Sequence, residues 1–215
     1  MKANTKTAML YLMATILLLC TACEGFESIL ATVKWDKNRE LFHITLRIEN
    51  VDGNFFECDT DAAQCVKNIE EALQSKDMLD IENEGVTVHS QTLAVRENIL
   101  DVIIKTSGPI TAEITDDLGI GIEYYGKPGR EKPQWVLFPN SSFIPIELPK
   151  GTKHRLTPTW FENPRTIREA WVLPKHTKTA TFRMGPDEDN DEEITPIFDS
   201  FPTLEKTLKE RGILL

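Results

Sequence analysis

Two thiols, Cys58 and Cys65, stand seven positions apart in FECDTDAAQCVKNIEEAL. That spacing admits either a disulfide or a pair of metal ligands. A structural zinc site takes about four ligands, and no histidine lies between Cys65 and His89, so the disulfide is the stronger reading and no metal is expected. Histidines His43, His89, His154 and His176 are scattered. His43 shares the polar side of its stretch with Thr45 and Arg47, as a solvated surface residue would, and His154 and His176 lie among cations, which suits an anion contact. The adjacent carboxylates Glu70-Glu71 and Asp116-Asp117 could in a folded cleft enter a glycosidase-type couple, but their adjacency is no evidence for one, because such couples are drawn from different elements. The run starting at Asp187 begins like a calcium loop, but Glu192 stands where glycine is needed and Phe198 where glutamate is needed. Gly119-Ile120-Gly121 has Tyr124 at the third glycine position. The chain contains no G-x-S-x-G, H-E-x-x-H or P-loop pattern. No catalytic residue and no cofactor are therefore assigned.

The elements that would position these residues fall into two parts, because all twelve prolines lie at or beyond Pro109. In the proline-free part, Ile29, Ala31, Val33 and Trp35 alternate with polar residues. After Asp36-Lys37-Asn38-Arg39, Phe42, Ile44, Leu46 and Ile48 do the same, which predicts a β-hairpin. Asp61 with Gln64 three residues on reads as a capping box. Ala62, Cys65, Val66, Ile69, Ala72 and Leu73 then share one helical face, so a Cys58–Cys65 bridge would pin the incoming chain to a helix over 61–75. A second hairpin is predicted over 85–95 and 99–106 around Arg96-Glu97-Asn98, with a bulge near residues 89–92 where the apolar phase slips. The result is ββαββ over 23–108, an antiparallel sheet with a helix on one face.

Residues 109–184 predict short strands at 121–125, 134–138, 143–148, 153–157, 169–173 and 177–184, either extending the first sheet or forming a second one. Pro174-Lys175-His176 is the predicted turn before the last. An acidic loop over 185–199 and a helix over 200–212 follow, with Phe201, Leu204 and Leu208 on one face and Gly212 as the stop. The fold class is α+β and β-rich, with residues 23–215 as a single mature domain.

The amino terminus supplies an address. Lys2 and Lys6 precede an apolar run from Ala8 to Leu19 that ends at Thr21 and Ala22, the pattern of a secretory signal over 1–22. The run is shorter than the roughly 20 residues that span a bilayer. Leu19-Cys20-Thr21-Ala22-Cys23 resembles the lipobox of bacterial lipoproteins, with Cys23 as the residue to be lipidated. A cut before Cys20 would place the bulky Leu19 at the cleavage site. The resemblance covers only about the first 23 residues. It implies a diacylglyceryl thioether and an N-acyl chain on Cys23, a membrane partner through that anchor, and a place at the outer membrane facing the periplasm or at the cell surface. Such a compartment permits disulfides.

Charge is divided unevenly over a total of −10. Residues 23–126 hold 8 Lys and Arg against 21 Asp and Glu; residues 127–184 hold 11 against 4; residues 185–215 hold 3 against 9. The basic block also contains Trp135, Trp160 and Trp171, beside Lys153, Arg155, Arg165 and Arg168. Cations mixed with indoles suit an anionic envelope polymer or an acidic protein partner, whereas a packed core with internal ion pairs is the alternative use of the same residues. Nucleic acid is disfavoured by the acidic total and the exported address. The expectation is a non-enzymatic binding or scaffolding lipoprotein of the cell envelope, with an exported hydrolase acting on envelope or environmental polymers as the alternative.

Overall fold

The computed structural model describes residues 25–36, 41–58, 61–75, 87–108, 120–125, 134–139, 143–158, 167–174, 177, 179–186 and 194–214. The leader with Cys20 and Cys23, and also Asp116-Asp117, Trp160, Arg165, His176 and the acidic stretch 187–193, lie outside them, as do the side chains of Trp135 and Arg168.

Among the described residues ten strands dominate a few helices, an α+β, β-rich fold. The first hairpin pairs β1 (Phe26–Asp36) with β2 (Leu41–Val51). A 3-10 turn over Asn54–Phe56 and the helix α1 (Ala62–Ser75) follow. The second hairpin pairs β3 (Thr87–Arg96) with β4 (Ile99–Gly108). Its two turn residues Glu97 and Asn98 both adopt positive φ, 46° and 72°, the geometry that matches the right-handed twist of the flanking strands. The expected phase slip is a register shift between Val88 and Ser90, which makes His89 the extra residue of a bulge.

The proline-rich part both extends the first sheet and forms a second one. Strands β7 (Phe143–Glu147) and β10 (Thr179–Pro186) join the first hairpins in a six-stranded sheet ordered β3-β4-β2-β1-β10-β7. Strands β5 (Ile120–Tyr125), β6 (Gln134–Pro139), β8 (Lys153–Pro158) and β9 (Ile167–Val172) form a four-stranded sheet ordered β5-β6-β9-β8. Every pairing is antiparallel.

One face of the larger sheet carries the core. Ile29, Ala31 and Val33 of β1 stand opposite Met184, Phe182 and Ala180 of β10 and beside Ile48, Leu46 and Ile44 of β2, all buried. Helix α1 covers them with Cys65, Val66 and Ile69, while Ala62, Ala72 and Leu73 pack at the margin, as the helical spacing predicts. Leu137 and Leu173 bring the second sheet to the same core, while Val136, Ala170 and Val172 make a small cluster of their own.

The carboxy-terminal helix begins differently from the sequence expectation. It is two pieces, α2 (Ile197–Ser200) and α3 (Leu204–Glu210), with Phe201 between them at φ −129° and ψ 75°. Pro202 is the cause, because a proline pushes the preceding residue out of helical conformation. The first piece occupies part of the expected acidic loop 185–199, and Pro186 at the other end of that span closes β10. Ile197, Phe198, Phe201, Leu204 and Leu208 are all buried against the core, and Gly212 ends α3 at φ +69°.

Cys58 and Cys65 are disulfide-bonded with Cα atoms 4.7 Å apart. Asp61 caps α1 by accepting the Ala63 N–H at 2.9 Å. Gln64 completes no capping box, because its side chain donates instead to Asn68 at 2.7 Å. Asn68 in turn donates to the carbonyls of Phe56 and Glu57 at 3.1 and 2.9 Å, so the loop is tied to the helix twice. Replacing both cysteines by alanine is expected to cost about 2 kcal/mol, the entropy of closing so short a loop, read as a lower urea midpoint. An unchanged midpoint would show that the Asn68 bonds hold the loop without the bridge.

Candidate functional site

Two groups of side chains are organised beyond what packing requires. The first lies on the face of the six-stranded sheet away from α1. Alternation along β2 puts Arg47 and Glu49 on that face, opposite the core positions Leu46 and Ile48, and the register places Ser28 of β1 against Glu49 and Glu147 of β7 against Arg183 of β10. Asp101 of β4 is fully buried. Its Oδ2 accepts hydrogen bonds from Arg47 Nε at 2.7 Å and Arg96 Nε at 3.0 Å, and its Oδ1 accepts the Asn50 N–H at 3.1 Å. Glu49, 4% exposed, accepts the Ser28 hydroxyl at 2.9 Å, and its carboxylate lies 2.6 Å from Arg183 Nη1 and 3.3 Å from Arg96 Nη2. Arg183 Nε continues to Glu147 at 3.3 Å, close enough for an ion pair but without hydrogen-bond alignment. A belt of alternating charge thus crosses all six strands, from Arg96 on β3 to Glu147 on β7. The arginine stems shield the two carboxylates while their heads remain partly in water.

Burial pushes the Asp101 carboxyl up, but the hydrogen bonds from Arg96, the Asn50 N–H and Arg47 outweigh it and hold the carboxyl below its ordinary value. The hydrogen bond to Asp101 likewise holds the Arg96 guanidinium above its own. Asp101 is therefore committed as an anion to arginine, the opposite of what a proton-donating acid of a glycosidase couple needs, and the Glu49 carboxylate is engaged by Arg183 and Arg96. The adjacent pair Glu70-Glu71 is also occupied, Glu70 by Arg211 at 3.0 Å from both its oxygens and Glu71 by Lys67 at 3.3 Å.

The second group is the pair of strands β8 and β9, where several sequence-predicted binding residues fall. The register sets His154 opposite Trp171, Lys153 opposite Val172 and Arg155 opposite Ala170. Directly opposed residues share a face, so Trp171 lies on one side of the sheet and Lys153 and Arg155 on the other. Trp171 is half-buried against the main core, and His154 stacks on it with ring centroids 4.9 Å apart and planes 23° apart. His154 also lies 3.7 Å from Glu169. Lys153, His154, Arg155 and Leu156 are all exposed, Leu156 to 68%, and Ile167 across the pair to 65%. Trp135 is in register with Tyr124 of β5, and Arg168 with Thr157 of β8.

Sequence reasoning did not find the charge belt, nor a contact of 2.7 Å between His89 Nε2 and the Ser107 hydroxyl. That distance suits a nucleophile and its base, but Ser107 is buried beneath the strand face, and the bond closes the bulge that projects His89. His43 stands in register with the same serine and 4.0 Å from Asp36. The predicted bulge was the signal for His89; its partner eighteen residues away had none. Among the described residues no group of three or more metal-ligating side chains is gathered. Neither family models, nor curated proteins, nor solved structures match this chain.

The belt generates an acid-stability prediction. A carboxyl held below its unfolded-state value contributes stability in full above that value, about 3.9, and loses it as pH falls through the depressed folded value. Asp101→Asn keeps an acceptor for the Asn50 N–H but leaves two arginines short of a counter-charge. It is expected to cost about 3 kcal/mol at neutral pH and to flatten the fall of stability below about pH 4. An acid limb as steep in the variant as in the parent, measured by urea titration at a series of pH values, would assign the acid sensitivity to other groups.

Proposed function

We propose that the chain is a lipid-anchored protein of a bacterial cell envelope with a non-enzymatic binding or scaffolding role, and that the exposed β8–β9 strand pair is its contact surface. The observation that carries the binding role is that surface. It sets two cations, His154 stacked on a half-buried Trp171, and two exposed aliphatic side chains on adjacent strands, and apart from Trp171 none of them packs into the core. Isolated apolar side chains on a surface are ordinary, but Leu156 and Ile167 are diagonal neighbours on one face, bordered by charge, as binding patches are. For the hydrolase alternative, the two carboxylates buried among the described residues, Glu49 and Asp101, are both paired with arginine.

The address rests on the leader and the lipobox-like Cys23, and the Cys58–Cys65 bridge suits an exported compartment, where disulfides persist. No helix among the described residues is long and apolar enough to cross a membrane, and in this reading the acyl chains provide the attachment. Several chains at about 0.8 kcal/mol per buried methylene make a stable anchor, where one chain is marginal. The fold begins at once after the anchor. Gly25 lies two residues beyond Cys23, its carbonyl accepts the Asp52 N–H at 2.7 Å, and a Cβ there would come within 2.5 Å of Asp52 Oδ1 and 2.7 Å of the Phe55 nitrogen.

Two measurements test the reading. Expressed with its leader, the protein is expected to fractionate with membranes and to carry the mass of its acyl groups on Cys23, and Cys23→Ser is expected to release it to the soluble fraction. An unmodified amino terminus on the parent overturns the anchor. For the surface, retention on immobilised polyglutamate is expected to fall with salt, and to fall at least several-fold in Lys153→Glu/Arg155→Glu. Equal retention of parent and variant would move the contact elsewhere.

A further inference from the structure

Strand β8 lies at the outer edge of its sheet, with β9 as its single neighbour among the described residues. On its other side the strand pairs with no backbone among the described residues, and an edge of this kind is a template on which another extended chain can pair. The alternation of a strand decides what such a chain must look like. Lys153 and Arg155 project on the face of the Val136–Ala170–Val172 cluster, and His154 and Leu156 on the face of Trp171. An added strand would set one of its own residues opposite each of these, on the same face. Opposite Lys153 and Arg155 the favourable partner is a carboxylate. Opposite His154 and Leu156 it is an apolar or aromatic side chain, which would extend the exposed patch made by Leu156 and Ile167 into a covered one.

We propose that β8 is a docking edge for an extended acidic segment of a partner protein, one whose sequence alternates carboxylate and apolar residues over at least four positions. The same charges act against the commonest competitor. A second copy of β8 pairing edge to edge would bring Lys153 and Arg155 close to their own counterparts, where like charges repel, so the edge admits an acidic strand and resists self-association. Main-chain hydrogen bonds would give the affinity and the alternating side chains the specificity, as in other strand-addition complexes. A partner shifted by one residue would turn its carboxylates to the face of Leu156 and set apolar side chains against Lys153 and Arg155. A one-residue slip of the partner is thereby disfavoured.

The proposal rests on the binding role given to β8–β9 and narrows it from anionic matter in general to a strand. The probe is a capped synthetic peptide alternating Glu with Ile, Val and Tyr, set against a peptide of the same composition with its glutamates in one block, and against polyglutamate. The protein is the full chain expressed with its leader and purified from whichever fraction holds it. The alternating peptide is expected to bind at least tenfold more tightly than either control, and to slow amide hydrogen exchange over residues 153–156. Lys153→Glu/Arg155→Glu is expected to abolish binding, with an unchanged thermal midpoint confirming that the variant folds. Equal binding of the blocked peptide or polyglutamate, or unprotected β8 amides, overturns strand addition while leaving a charge-driven contact in place. Failure of all three probes removes the binding role along with it.

Discussion

Two carboxylates buried on a sheet face hold the register of this fold. Glu49 and Asp101 are nearly or wholly out of water, and an ion so placed costs several kcal/mol unless it is met by opposite charge and hydrogen bonds. The partners come from across the sheet: Arg96 from β3, Arg47 from β2, Arg183 from β10, with Ser28 of β1 and the Asn50 N–H filling remaining acceptor positions. The cost is offset only when five strands stand in one alignment. A shift of one residue in any of them turns its side chains to the other face, leaving a charge in the core and another without a partner. Packing alone would tolerate more freedom, since the core face offers Ile, Leu, Val and Phe at nearly every position.

The same contact connects to the neighbouring loop. Asn50 sits at φ 53°, and that left-handed turn aims its N–H at Asp101 while β2 ends one residue later. Asp52 then gathers the next turn, accepting the N–H groups of Asn54 and Phe55 at 2.8 and 3.2 Å, and its own N–H closes on Gly25. Phe55 meets Phe26 and Phe56 edge to face. From there the chain passes through Glu57, also left-handed, to the disulfide and into α1. The start of β1, the end of β2 and the helix are thus fixed to one another through the ten-residue connection 52–61.

What was legible in the sequence is what repeats locally. Both hairpins, the inward face of α1, the bulge at His89 and the Cys58–Cys65 bridge follow from alternation, helical spacing and short separation. The belt was illegible because most of the contacts that join its strands link residues far apart in the chain. Arg183 is 134 positions from Glu49, and nothing near either marks the other. Pro202 did carry a readable warning, since the residue before a proline leaves the helix, and the two-piece carboxy-terminal helix follows from it. The basic, tryptophan-rich block was legible as composition but not as a surface. Cations and indoles that interleave in sequence separate in a strand pair, because a period of two sorts Trp171 to one face and the partners of Val172 and Ala170 to the other.

That sorting changes what kind of ligand the block can read. A polymer lying on one face would meet either the His154–Trp171 stack or the Lys153 and Arg155 charges, not both. An edge, by contrast, presents both faces at once to anything that pairs with it. The proposed anchor would add a constraint of its own. With lipid on Cys23, β1 would begin three Cα steps, about 11 Å, from the anchored residue, while its eleven residues span about 35 Å. So short a tether would leave the domain little freedom to search away from a membrane. A partner for β8 would then have to come to it there, which favours a strand or tail that is itself held at the envelope over a freely diffusing polymer.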